Sequence, residues 1–383
     1  MKKIIGFILL GILFPQYEIS VDSLQSITFD GGGFIFCPTF NPNGDYLAVE
    51  EWAGSGSIGL KTWIINVKDI TSKKQIKKSV KSKKPLHCGG IIWSKSNGSY
   101  AYIEATLNGR TRFFHLNYIN MMNNQKDYIE ERSENIFGIA TKGNEIHSIA
   151  ISEYGEDILI FCYHDKLKEL DQYGIFYDGD RSILLSELID PFVQMEINNT
   201  DDGYLSFIRT DSENNPEIVL MKSPDDEPET QVIISPNKYG QIVYEKKLNI
   251  NTSDNLYLSY LAKKKENKKN KTTNLSIIVD PFSNSLSEIV AESVHIVDKG
   301  TEKLLNFNHQ WHPKYNIIFY IKRQEKDNDK FKLFAYDVDN KTEIEVNSDI
   351  EGVQHLAISS DGNKIAMCGI KSGTLWIGDL RIK

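Results

Sequence analysis

Four of the eight histidines in this 383-residue chain, His87, His147, His309 and His355, stand two to six residues ahead of a large hydrophobic residue that opens a recurring pattern. Gln194 stands in the same way ahead of Ile197. Imidazoles drawn to one place can hold a metal ion, and they change charge near their ordinary pKa of about 6.5. The plainer reading is that a polar side chain entering a strand satisfies neighbouring backbone groups. The offsets differ from one histidine to the next and no carboxylate recurs beside them. The pattern therefore calls for no metal and no cofactor and names no catalytic residue; it marks these five positions as a candidate ligand-binding rim.

Other chemistry-bearing motifs read as scaffold. Gly54-Ser55-Gly56-Ser57-Ile58-Gly59 satisfies G-x-G-x-x-G letter for letter. A dinucleotide site needs a helix to open directly after the glycines, and Leu60 to Val67 is β-branched and aromatic instead, so the glycines read as a hairpin loop. Asp178–Asp180 and Asp327–Asp329 lack the spacing of a calcium loop and are read as turns. The chain holds no G-x-S-x-G nucleophile elbow. Two lysine clusters, eight in Lys68–Lys84 and six in Lys263–Lys271, are expected as solvated excursions from sheets, the sharper reading being contact with an anionic membrane surface. Cys37, Cys88, Cys162 and Cys368 form no C-x-x-C, which excludes a zinc ribbon or a thioredoxin-type motif. They read as small buried hydrophobes, with a Cys37–Cys88 bridge as the alternative in an oxidising compartment.

The compartment is suggested by the first residues. Two lysines precede an eleven-residue apolar run, Ile4 to Phe14, closed by Pro15. Crossing a bilayer takes about 20 apolar residues, so the run has the shape of a secretory leader. Residues 1–20 are read as a signal peptide or N-terminal hydrophobic segment, and the chain is expected in the periplasm or otherwise outside the cytoplasm. Net charge is 44 − 52 = −8, which argues against nucleic acid as a partner.

The elements that must position these residues repeat. A hydrophobic anchor, a polar turn and an alternating strand recur at Phe40, Trp93, Ile151, Ile197, Ile250, Trp311 and Ile358. From the first anchor to the last is 318 residues over six intervals, a mean of 53, which suits a four-stranded unit with loop insertions. Gly44, Gly98, Gly155, Gly203 and Gly362 fall where a tight turn wants positive φ, and Pro42 and Pro313 fit the early turn position. Third strands are expected at Thr62–Val67, Thr111–Leu116, Tyr173–Tyr177, Glu217–Met221, Leu275–Val279, Lys332–Tyr336 and Thr374–Ile377. No segment carries a long helical period. The fold class is all-β: a seven-bladed β-propeller of four-stranded antiparallel blades, six or eight blades being the alternatives, in one domain over residues 23–383. The seventh unit runs out after its third strand, so Ser23–Asp30 is expected to close the ring beside Leu375–Leu380 and remove an open sheet edge.

The spacing of anchor, Ser or Asn, two turn residues, Gly, two residues and Ile/Leu-Ala is clearest at Phe40–Ala48 and Ile358–Ala366. It resembles the repeats of the TolB-like propeller family. TolB itself is a periplasmic component of an envelope system, a six-bladed propeller behind an α/β domain, whereas seven units are counted here and the first follows the leader directly. The resemblance implies an exported propeller that binds another envelope protein or a polymer as a scaffold. The alternative is a hydrolase or lyase, metal-assisted or not, at the channel mouth around His147, His309 or His355.

Overall fold

Ile317 to Ile321 reads Ile-Ile-Phe-Tyr-Ile, apolar at every position instead of every second one. Such a strand is stable only where both faces of its sheet are covered, and the computed structural model shows how that is achieved. The structure describes residues 17–29, 34–52, 60–78, 92–93, 100–108, 111–119, 144–151, 158–164, 173–177, 182–184, 194–199, 205–210, 216–221, 232–234, 241–242, 249–251, 257–265, 271–279, 288–292, 309–323, 331–346, 350, 352–353, 355–369 and 373–383.

After β1 (Ile19–Thr28), the first sheet holds β2 (Phe34–Phe40), β3 (Tyr46–Trp52), β4 (Leu60–Asn66) and β5 (Lys73–Lys78). The second holds β6 (Ile92–Trp93), β7 (Tyr100–Asn108) and β8 (Thr111–Ile119). The third holds β9 (Asn144–Ile151), β10 (Ile158–His164), β11 (Tyr173–Tyr177) and β12 (Ser182–Leu184); the fourth holds β13 (Gln194–Asn199), β14 (Leu205–Thr210), β15 (Pro216–Met221) and β16 (Val232–Ile234). The fifth is built from β17 (Gln241–Ile242), β18 (Asn249–Asn251), β19 (Tyr257–Lys265), β20 (Lys271–Val279) and β21 (Glu288–Ala291). The sixth has β22 (His309–Trp311), β23 (Ile317–Arg323), β24 (Phe331–Asp337) and β25 (Thr342–Glu345), and the seventh β26 (His355–Ile358), β27 (Lys364–Cys368) and β28 (Thr374–Ile382). Among the described residues there are thus seven antiparallel sheets and no helix.

Consecutive sheets touch through their first strands: β6 lies by β9, β9 by β13, β18 by β22, β22 by β26, and β26 by β2. The fourth and fifth sheets meet at β15 and β17, and Trp93 Nε1 of the second donates to the Thr39 carbonyl of the first at 3.3 Å. The sheets therefore follow one another around a ring, the architecture of a β-propeller. Closure is by β1, which pairs antiparallel with β28, Ile27 opposite Leu375 and Ile19 opposite Ile382. The pairing starts at Ile19, ahead of the expected domain start at residue 23, and Ile19 and Val21 are buried.

Alternation inside β23 feeds two seams. Ile318 and Tyr320 pack with Tyr257, Leu261 and Ile277 of the fifth sheet, while Ile317, Phe319 and Ile321 pack with Leu356, Ile365 and Met367 of the seventh. Ala357, Ala366 and Cys368 in turn face Ile35, Leu47 and Val49 of the first. Each fully buried Leu, Ile or Phe contributes about 1.5–3 kcal/mol by leaving water, so the seams hold the ring.

The anchors repeat in register as well as in sequence. Phe40 lies opposite Leu47, Trp93 opposite Tyr100, Ile151 opposite Ile158, Ile250 opposite Leu258, Trp311 opposite Ile318 and Ile358 opposite Ile365. The turn after the anchor is built alike in the first and seventh sheets. Asn41 N donates to Tyr46 O and Ser359 N to Lys364 O, and Gly44 N and Gly362 N donate back to Asn41 O and Ser359 O. Gly44 and Gly362 have φ of 70° and 73°, the left-handed region that favours glycine. Gly98, Gly155 and Gly203 lie outside the described residues.

One expectation is overturned. Lys68–Lys84 is not simply an excursion: Lys73–Lys78 forms β5, the outer strand of the first sheet. The second cluster likewise runs through the ends of β19 and β20. Lysine suits an outer strand because its charge discourages pairing with another chain's edge.

Candidate functional site

The ring has two ends. The hairpins joining first to second strands lie at one, here the turn end; the first strands begin at the other, the mouth end. His309 and His355 open β22 and β26 at the mouth end, and both are buried. Their registers differ. His309 lies opposite Tyr320, two residues before its anchor, and His355 opposite Cys368, three before its own. With side chains alternating along a strand, His309 shares the face of Trp311, in the seam with the fifth sheet, and His355 shares the face of Ala357, in the seam with the first. Gln194 opens β13 and His147 lies in β9, also at the mouth end. His87 lies outside the described residues, as do Gly54–Gly59, Asp178–Asp180, Asp327–Asp329 and Cys88. Cys368 is fully buried among apolar side chains, as a small hydrophobe would be. No group of three or more His, Cys, Asp or Glu side chains able to hold a metal ion occurs among the described residues.

Sequence reasoning missed two buried carboxylates at the same end. Glu50 and Glu51 sit near the mouth end of β3, opposite Phe36 and Ile35. Glu51 is completely buried; its Oε2 accepts from Trp63 Nε1 at 2.9 Å and from Lys61 Nζ at 3.3 Å. The available signal was the break in an apolar strand, Leu-Ala-Val followed by Glu-Glu.

The turn end is an interlocked arc. His312 Nδ1 accepts from Lys314 N at 3.1 Å, which leaves the proton on Nε2, and Nε2 donates to the Gly362 carbonyl at 3.1 Å in the next sheet's turn. Burial lowers the His312 pKa below its ordinary value, with the Gly362 carbonyl opposing. Ser360 Oγ in turn donates to Pro42 O. Asp361 accepts from Ser359 Oγ at 2.5 Å and from Asn363 N at 3.0 Å; burial raises its pKa, but these bonds outweigh burial and the carboxyl lies low. Two aromatics stand out from this arc, Tyr46 and Tyr315, 38% and 40% exposed. Tyr315 packs between His312 and Tyr17, with ring centroids 4.9 and 5.9 Å away.

The chain matches no family model and no curated protein. It is similar in fold to the β-propeller domain of Cps50 (Swd1) from Myceliophthora thermophila, with a TM-score of 0.53, 12% identity, and coverage of 92% of this chain and 98% of that one. It is similar also to the WD40 domain of Neurospora crassa Pan2, with a TM-score of 0.50, 9% identity, and coverage of 93% and 95%. A third neighbour is a prolyl endopeptidase, with a TM-score of 0.52 and 10% identity, where the match covers 87% of this chain and 46% of that one. At these identities the likeness is one of fold: the protein is a β-propeller.

Proposed function

We propose that the protein is an exported propeller of the TolB-like kind that binds another protein or a polymer of the cell envelope as a rigid scaffold. The observation that carries this reading is the turn-end arc. Three hairpin turns are fastened to each other through His312, Gly362, Ser360 and Pro42, and that rigid edge exposes Tyr46 and Tyr315. Exposed tyrosine on a preorganised edge suits recognition, because little side-chain freedom is lost on contact. Export is supported by the Lys2-Lys3 and Ile4–Phe14 leader pattern. A metal-assisted hydrolase or lyase that used both imidazoles would need them to converge, whereas strand alternation puts His309 on the face of Trp311 and His355 on the face of Ala357.

A photo-crosslinking residue at position 46 or 315, used with envelope extract, should give discrete adducts that a buried control at position 375 does not. Identical patterns from all three would overturn the binding reading. A reporter active only outside the cytoplasm, fused after Lys383, should lose activity when residues 1–16 are deleted; unchanged activity would overturn export.

A further inference from the structure

In three described hairpin turns the side chain directly after the anchor props the turn from inside, and the three props differ in chemistry. Asn41 Oδ1 accepts from Tyr46 N at 2.8 Å in the first sheet, and Ser359 Oγ accepts from Lys364 N at 2.9 Å in the seventh. Both acceptors are neutral oxygens that keep their lone pairs across the whole range near neutral pH. In the sixth sheet the same place is held by His312, whose Nδ1 accepts from Lys314 N at 3.1 Å. The backbone frame is shared, since His312 N donates to Ile317 O as Asn41 N does to Tyr46 O and Ser359 N to Lys364 O. Of these three turns, the sixth-sheet one is propped by a base that titrates.

That turn is buried at its ends and exposed at its tip. His312 and Asn316 are buried, and Pro313, Lys314 and Tyr315 between them are exposed. Proline has no N–H to give, so the Lys314 amide on His312 Nδ1 ties the tip inward. Tyr315 O accepts from Ile317 N at 2.7 Å on the far side, and the Tyr315 ring lies between those of His312 and Tyr17. A second proton on the imidazole turns Nδ1 from acceptor to donor and sets it against the Lys314 N–H, two donors face to face beside a buried charge. The other ring nitrogen is undisturbed, because Nε2–H donates to the Gly362 carbonyl in either form. The seam bond therefore stays and the tip gives way, which lets water reach Nδ1. Around the ring stand Lys314 on its own turn, Asp361 on the seventh-sheet turn, the uncharged Phe319 of β23, and Tyr315, with Tyr17 and then Asp337 and Asp339 behind it. Burial is the largest influence and holds the proton off; the Gly362 carbonyl and Asp361 favour it, and Lys314 opposes it. Asp361 is already committed to Ser359 Oγ and to Asn363 N and Nδ2, so it attracts an imidazolium without replacing the lost acceptor.

We infer that the sixth-sheet turn is a proton-operated release: a proton on His312 Nδ1 frees the tip at residues 313–315 and withdraws Tyr315 from the turn-end face, so that binding there is given up in acid. The first half stands on the turn itself, and the second rests on the reading of that face as a binding edge. The full chain carrying para-fluorophenylalanine, which has no hydroxyl to titrate, at position 315 or 46 is followed by fluorine NMR from pH 7.5 to pH 5. The signal from 315 should move with a midpoint below the ordinary imidazole value of about 6.5, and the signal from 46, on the turn propped by Asn41, should stay. His312→Asn, which brings in the side chain that props the first-sheet turn, should hold the 315 signal at one frequency throughout, and so should His312→Gln. A melting transition that is still single and sharp at pH 5 separates release of the tip from unfolding. A 315 signal that does not move, that moves equally in both variants, or that moves only together with 46 overturns the inference. Should neither variant fold, the contrast between 315 and 46 in the otherwise wild-type chain decides alone. Photo-crosslinks from position 315 to envelope extract should be lost severalfold between pH 7.5 and pH 5, and should persist in His312→Asn; equal yields at both pH values overturn the release of a partner. A 315 signal that moves as expected with no adducts at any pH upholds the switch and sinks the binding reading, so the two fail separately.

Discussion

His312 is tied at both ring nitrogens, to the Lys314 amide within its own turn and to the Gly362 carbonyl across the seam. Because burial depresses its pKa, the unfolded chain takes up the proton first as pH falls. Stability is therefore fully present above the unfolded value of about 6.5 and declines as pH drops from there toward the lower folded value. The melting temperature should fall between pH 7.5 and pH 5, and His312→Gln should flatten that fall. Carboxylates held low, such as Asp361 and Asp379, act only at more acid pH, because their contribution is lost as pH falls through the folded value. Gly362 is the other half of the lock. A Cβ there would lie 2.3 Å from His312 Nε2, and φ is +73°, whereas at Gly352 φ is +80° with nothing within 4 Å. Gly362→Ala should cost about 2–4 kcal/mol and Gly352→Ala only the backbone strain of about 1–2 kcal/mol, measured by denaturant unfolding.

At the scale of the strand, closure depends on Gly378. The β1–β28 pairing breaks register between Asp22 and Gln25, Ser23 adopts a φ of 52°, and the bulge presses on β28. A Cβ at Gly378 would meet Val21 Cγ1 at 2.5 Å and the Asp22 carbonyl at 3.1 Å. Gly378→Val should destabilise by about 1–3 kcal/mol, seen as a lowered denaturant midpoint and faster amide exchange in β1. The strands themselves were legible in the amino-acid order. Tyr173–Tyr177 was expected and found to the residue, and Thr374–Ile377 opens a strand that continues to Ile382, because runs apolar on both faces announce sheets covered on both sides. Lys73–Lys78 was not legible, since an outer strand gains little from burial and its lysines look like a solvated loop. Nor was the separation of His309 from His355, a matter of register, which is fixed by tertiary pairing and not by spacing along the chain.

For the whole molecule, each of the three described seams draws one face from each of two sheets, so the sixth and seventh sheets are incomplete without their neighbours. Val21, Ile19 and Leu380 belong to the core between the sixth and seventh sheets, and Ile27 and Phe29 to that between the seventh and first. Removing residues 1–31 strips both seams at once, and calorimetry should then show a broad, non-cooperative transition in place of a single sharp one; an unchanged transition would refute closure by β1. The same feature sets an order on biosynthesis. β1 is synthesised before every other described strand of the ring, and its mate β28 after all of them. Until β28 is made the nascent chain must carry an unmatched, partly apolar strand that no local hairpin can satisfy, so closure of the ring waits on β28, and a chaperone that shields β1 would govern the yield.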